Sequence, residues 1–339
     1  MTATIFLTGA TGLIGFRILL DALAAGHNVR YAVRSEEKAR QISSNPRIQD
    51  LAPGDRLSPF IAPHFTAEGV FDAALQGVTH IVHTGSPVPM PTFDPNTDVF
   101  QPTLKMQEEL LSSALKTPSI QRIVITSSIV ANTGIMAPEH TVSASTRLPL
   151  PSPMPTSFDN VFVAYVMAKM LAVKEADEFA EKRSPHFTIS HVMPGYVFGR
   201  NELALDAAAV ATRNSSNNFL MMGVLGREAP APIHGVYAHI DDVAEVHLRV
   251  LFLDPQEGET KDFGVTTKVD YDAVFDVVEK AFPEQVAQGV FKRGRVRTLP
   301  VDYDSSAAEK LLGRKFRSFE SAVVDAAGQY AEFRPEPLT

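Results

Sequence analysis

MTATIFLTGATGLIGFRILLDALAAGHNVRYAVRS, residues 1–35, is the stretch from which the architecture of this chain can be read. Residues 3–8 (ATIFLT) form an apolar, β-branched run that stops at glycines. Gly9, Gly12 and Gly15 follow with the spacing G-x-x-G-x-x-G. Residues 13–25 then place Leu13, Ile14, Ile18, Leu19 and Ala22 on one helical face, and Gly26 marks a helix stop. Strand character returns at Asn28–Val33. The order strand, glycine turn, helix, strand makes a βαβ unit of about 30 residues, the setting in which glycines at this spacing carry meaning.

The alternation continues outward. A broken strand is expected at 57–62, a short helix at 68–76, and strands at 78–83 and 121–126 flanking a helix at 103–117. A long helix is expected at 161–183, followed by a strand at 187–192. Strands alternating with helices predict an α/β protein with a doubly wound parallel sheet covered on both faces. Two stretches interrupt the rhythm: 138–156, with five prolines, and 195–235, which includes RNSSNN at 213–218. Both are expected as loops beyond the carboxyl ends of strands, where doubly wound folds bind ligands. Helices at 271–282, SSAAEKLLGRK and FESAVVDAAGQYAEF are expected to complete a smaller C-terminal lobe.

Composition narrows the function classes. A chain of 339 residues fits one large α/β domain carrying a smaller lobe. The net charge of −8 argues against nucleic acid or an anionic membrane as the partner. No apolar run approaches the roughly 20 residues of a membrane span, and no secretory leader is recognisable, so a cytoplasmic protein is expected. The absence of cysteine excludes disulfides, thiolate zinc sites and cysteine nucleophiles.

The first turn predicts a phosphate site. Gly9 provides the bend, Gly12 lets backbone approach a pyrophosphate, and Gly15 allows close helix–strand packing, with the phosphates at the helix N-terminus. Arg34 ends the second strand, where NAD enzymes usually carry an acidic residue for the ribose hydroxyls. An Arg there, with Ser35 adjacent and Lys38 four residues on, suits the 2′-phosphate of NADPH. Tyr165 and Lys169 share a helix face, and Ser127 and Ser128 close a strand whose loop faces the same edge. A phenol ordinarily titrates near 10; a neighbouring ammonium is expected to lower it, making a workable general acid for a carbonyl oxygen. A serine hydroxyl would donate a second hydrogen bond to that oxygen.

These motifs can be read together. TGATGLIG, Arg34, HTGSP at 83–87, TSS at 126–128, AYVMAK at 164–169 and MPGYVFG at 193–199 resemble the extended short-chain dehydrogenase/reductases. HIDDVAEVHL at 239–248 and KLLGRKF at 310–316 resemble the dihydroflavonol 4-reductase-like branch, which includes NADPH-dependent aldehyde, methylglyoxal and ketone reductases. The resemblance implies a Rossmann domain over residues 1–194 and about 236–265. The substrate-binding lobe would comprise about 195–235 and 266–339. It implies Ser128 as the catalytic serine (Ser127 being the near alternative), Tyr165 as the proton donor, and Lys169 as ribose ligand and tuner of Tyr165. Thr11, Leu13 and Ile14 would join the glycines in holding the cofactor. Thr84, Gly85 and Ser86 would line its channel, and Pro194 and Val197 would meet the nicotinamide. The chain departs from the family's pattern at Ala62–Pro63, where an Asp is usual, and at Gly85 and Ala168.

Segment 86–93, with Val88 and Met90, together with Ile129, Val130, Tyr196, Phe198 and 200–235 with Met221 and Met222, is expected to wall an apolar substrate pocket. Val130 and Phe198 are expected as core. His83, His191, His234, His239 and His247 lack metal-ligand spacing. The expected activity is NADPH-dependent reduction of a ketone or aldehyde. The alternatives are a sugar-nucleotide epimerase or dehydratase, a 3β-hydroxysteroid-type dehydrogenase, and a non-catalytic NADP(H)-binding regulator. The expected partner is a small carbonyl substrate, on a monomer or homodimer.

Overall fold

The computed structural model describes residues 2–136, 138–211, 215–254 and 261–334. Seven strands form the central sheet: β1 (Thr4–Thr8), β2 (Asn28–Val33), β3 (Leu57–Ile61), β4 (His80–His83), β5 (Arg122–Thr126), β6 (Thr188–Pro194) and β7 (Asp262–Val265). Their order is β7-β6-β5-β4-β1-β2-β3 and every pairing is parallel. The main helices are α1 (Leu13–Ala24), α2 (Glu36–Ser43), α3 (Gln101–Leu115), α4 (Val161–Arg183), α5 (Ile240–Leu251), α6 (Ser306–Leu312) and α7 (Phe319–Glu332).

The period-2 alternation of β1 sorts its side chains between two cores. Ile5 and Leu7 face α1, α5 and α6, with Val29, Val82, Val124 and Val192 from the neighbouring strands. Phe6 faces the other way, with Ile81, Ile123 and Ile189, against Met106 and Leu110 of α3 and Ala176 of α4. A third core, of Phe198, Met221, Tyr237, Tyr271, Phe275, Phe319 and Val323, builds the lobe. Of the two C-terminal helices expected in that lobe, α7 packs there, but α6 places Ala308 and Leu312 in the α1–α5 core.

Four expectations are corrected. Segment 57–61 is an unbroken edge strand: the exposed Pro59 lacks only an N–H that an edge does not need. Residues 68–76 are successive turns, because Gly69 and Gly77 take φ of +65° and +75° and mostly i→i+3 bonds close between them. The proline-rich loop contains a short strand, Val142–Ser143, paired in parallel with Tyr303–Asp304. Segment 195–235 carries strand Tyr196–Phe198 and helix Asn217–Val224, with Asn217 clamping both backbone groups of Gly199. Of RNSSNN, Arg213 and Asn214 lie outside the described residues. Among the described residues no helix is long and apolar enough to cross a membrane.

An ionic cluster around the buried Asp262 ties the far edge of the sheet to α4. Asp262 accepts from His191 Nδ1 at 2.8 Å and from Arg147, which also donates to Asp177 of α4 at 2.9 Å. Burial alone would raise the Asp262 carboxyl, but His191 and then Arg147 outweigh it and hold it at about 2. Arg147→Met strips one partner from a buried carboxylate and is expected to cost about 3 kcal/mol at pH 7 in urea unfolding. The gap to wild type should close as pH falls from 3.8, the ordinary value, through about 2. Protonated Asp262 no longer needs the guanidinium.

Candidate active site

The glycine turn is shaped by what surrounds it. Gly9 takes φ of +77°, and a Cβ there would lie 2.3 Å from Thr84 Oγ1 and 2.8 Å from the Gly85 nitrogen. A Cβ on Gly15 would lie 2.2 Å from the Gly9 carbonyl oxygen, so this glycine lets α1 sit on the turn. Gly12 differs from both: its Cβ would meet nothing nearer than that oxygen at 3.4 Å. It also opens α1, which has no side-chain cap and no acidic residue in its first turn. No side chain competes for the N–H groups at the helix start, which fits a pyrophosphate. Leu13 and Ile14 are half-buried beside it, and Thr11 is exposed.

The neighbouring strand ends are pinned by buried hydroxyl–imidazole pairs. Thr8 Oγ1 accepts from Gly85 N at 3.0 Å and lies 2.8 Å from His83 Nδ1. A Cβ at Gly85 would come within 2.9 Å of Thr8 Oγ1, so the departure to glycine accommodates this threonine. Thr84 Oγ1 donates to the Thr8 carbonyl at 2.7 Å, and Ser86 stands beside it, half-buried. Thr126 Oγ1 lies 2.7 Å from His247 Nε2, whose other ring nitrogen meets the Val243 carbonyl. Burial pushes His83 down to about 3 and His247 to about 4, so both act as neutral crosslinks. Among the described residues no cluster of three His, Asp or Glu could hold a metal ion.

The proton-handling groups converge at the carboxyl end of β5. Ser128 lies in the turn after β5, where its Oγ accepts the Val130 N–H at 3.4 Å and keeps its own O–H to donate. Ser127 Oγ is buried with no partner. On α4, Lys169 is buried and donates to the Thr126 carbonyl at 3.1 Å; its Nζ stands 5.8 Å from the Tyr165 ring centroid. Tyr165 packs with Ile129, Val130, Phe162, Val166, Met170 and Tyr303. Burial raises the Tyr165 phenol above its ordinary value, while a hydrogen bond with Ser128 works against it. The expected lowering by Lys169 does not prevail: desolvation acts on both groups, and it pulls Lys169 itself down to about 8. A phenol held neutral is the protonation state a donor requires.

Other expected residues fall less simply. Arg34 is exposed at the end of β2 and pairs with no described carboxylate, Glu36 and Glu37 included. Ser35 caps α2 by accepting from Lys38 N, while Lys38 Nζ donates to Gln41 Oε1 at 3.0 Å. Pro194 is buried, and its carbonyl accepts from Ile129 N at 3.2 Å, which brings β6 against the Ser128 turn. Val197 points into the α1–α5 core, so only its backbone is available to a ligand. Val88 is exposed, Met90 and Tyr196 are half-buried, and Ile129 sits in the Tyr165 cluster. Met221 has no accessible surface; it lies in the lobe core and can only back a pocket wall. Val130 and Phe198 are core, as expected.

The profile of the "NAD dependent epimerase/dehydratase family" matches residues 5–263. The chain is 36% identical over 333 residues to the NAD-dependent epimerase/dehydratase ALT6 of Alternaria alternata, covering 92% of this chain and 93% of that one. It is 30% identical to ketoreductase CTB6 of Cercospora nicotianae, covering 97% and 95%. Among solved structures, yeast methylglyoxal/isovaleraldehyde reductase Gre2 complexed with NADPH superposes with a TM-score of 0.78 at 25% identity, covering 97% and 98%. The chain belongs to the NAD dependent epimerase/dehydratase family, the extended short-chain dehydrogenase/reductases.

Proposed function

We propose that this protein is an NADPH-dependent reductase of ketones or aldehydes, with Tyr165 as the proton donor. The observation that carries the reading is the meeting of a neutral buried phenol, a serine hydroxyl hydrogen-bonded to it and a buried ammonium at one strand end. The naming of relatives as ketoreductases, and of Gre2 as an NADPH complex, supports it.

Bound NADPH supplies the hydride taken up by the carbonyl carbon. The chain's own residues handle the rest. The open N-terminus of α1 at Gly12 would hold the pyrophosphate, and Arg34 the 2′-phosphate. Thr84, Gly85, Ser86 and Pro194 would line the channel between them. Ser128 donates to the carbonyl oxygen and fixes its direction. Tyr165 gives that oxygen its proton as negative charge develops there. Lys169, held by the Thr126 carbonyl, binds the ribose and keeps a positive charge behind the phenol. The Rossmann domain would span 1–194 and about 236–265, and the lobe, carrying Tyr196, would close over the substrate.

Two experiments bear on this. With NADPH carrying deuterium at both C4 positions of the nicotinamide, one deuterium should appear on the carbinol carbon of the product per NADPH consumed. An epimerase or dehydratase would return its cofactor with no net consumption, so that result would replace the reduction reading. Lys169 must be protonated to donate, and its value of about 8 sets the window. The kcat/KM for NADPH, which reports the free enzyme, is expected to fall as pH rises through about 8. A profile flat to pH 9.5 would remove Lys169 from cofactor binding.

A further inference from the structure

The turn that carries Ser128 is secured by a contact from the far end of the chain. Asn132 lies one turn beyond Ser128 and is fully buried. Its Nδ2 donates to the carbonyls of Thr146 at 2.8 Å and Ala144 at 3.3 Å. Its Oδ1 accepts the hydroxyl of Tyr303, 171 residues away, at 2.7 Å. The Tyr303 ring crosses the edge strand at Gly264, where a Cβ would lie 2.3 Å from it, and then joins the cluster around Tyr165. Loop 142–147 completes the arrangement. Val142 N donates to the Asp302 carbonyl at 3.0 Å, and the Ala144 carbonyl also accepts from Arg147, which grips Asp177 on α4. The Ser128 turn, the helix bearing Tyr165 and Lys169, and segment 301–304 are thereby held to one another through a single loop.

We propose that Tyr303 and Asn132 are positioning residues for the reaction: their hydrogen bond sets the Ser128 turn relative to Tyr165, so that both hydroxyls reach one carbonyl oxygen. This rests on the reading of Ser128 and Tyr165 given above. Neither positioning residue touches the reacting atoms. Losing the Tyr303 hydroxyl leaves the Asn132 oxygen buried without a donor, and a group left that way recruits water or moves. The turn is short, with Ala131 N, Asn132 N and Thr133 N bonded back to Ser128 and Ile129, so a shift at Asn132 passes directly to Ser128.

The test compares Tyr303→Phe, Asn132→Ser and the double variant. Tyr303→Phe keeps the ring and its packing. Its kcat for carbonyl reduction is expected to fall about tenfold, below the roughly 100-fold that a 1 Å misplacement can cost, with KM for NADPH within about twofold of wild type. In the Asn132→Ser background the same substitution should have no further effect, since the pair acts as a unit. Hydrogen exchange on the apo protein gives a readout independent of activity: amides 131–134 should lose protection in Tyr303→Phe while β5 and β6 amides keep theirs. Unchanged kcat and protection overturn the proposal, as does a lower Tm with kcat retained, which would make the bond structural only. Independent effects of the two substitutions overturn it as well. Were Tyr165→Phe to leave reduction intact, the reading beneath the proposal would fall, while the exchange result would still stand as a measurement of the turn.

Discussion

Tyr165→Phe is expected to lower kcat for carbonyl reduction by about 10²–10⁴-fold, the range over which a positioned general acid contributes. The ring can stay among Ile129, Val166 and Met170, so the change removes one proton donor and little packing. Neither Tm nor the affinity for NADPH measured by fluorescence should move appreciably. The loss should therefore fall on kcat and kcat/KM together, with KM nearly constant, the pattern of an interaction made in the transition state. Burial holds the phenol neutral. The wild-type rate should accordingly show no alkaline limb from Tyr165 between pH 6 and 8. A Tyr165→Phe enzyme that retains most of its kcat would assign the proton to another group, with Ser128 first in line by position.

The second large effect concerns the choice of cofactor. Arg34→Ala is expected to raise KM for NADPH about 10- to 150-fold, as the loss of a hydrogen bond to a charged group predicts. KM for NADH, which lacks the 2′-phosphate, should change less than threefold. The asymmetry follows from position and from the absence of competition. Arg34 ends β2 beside the glycine turn, exposed, and no described carboxylate occupies it. Lys38 is a weaker candidate, because its ammonium is engaged with Gln41. Lys38→Ala should therefore change KM for NADPH by only a few-fold, and equal effects of Arg34→Ala on the two cofactors would discard the 2′-phosphate assignment.

What the sequence discloses follows from how local each feature is. The βαβ opening was legible because strand, turn and helix signals sit within 30 residues, and the +77° φ at Gly9 is what a glycine at such a bend signals. Helix 161–183 runs between the expected residues, with Asn160 accepting from Phe162 N and Val163 N at its start. Tyr165 and Lys169 were readable as a pair because they lie four apart on it. Features made across the chain left no such trace. The Tyr303–Asn132 bond spans 171 residues, and the Arg147–Asp262 pair spans 115. No periodicity or spacing marks these residues, since their meaning is supplied by sheet order and loop path. Segment 68–76 reads as helix from its apolar spacing, while Gly69 and Gly77 impose left-handed backbone at its ends and make it a run of turns. Val197 is placed by its motif and Met221 by its segment, and each fixes where the backbone runs but not which core receives the side chain.

The most direct test of the whole account is stoichiometric. Purified protein, NADPH and a panel of aliphatic and aromatic ketones, aldehydes and diketones should give one alcohol per NADPH oxidised for at least one apolar member. Both signals should vanish together in Tyr165→Phe. NADPH oxidation across the panel that is absent in wild type, or equal in wild type and Tyr165→Phe, would contradict carbonyl reduction at this site.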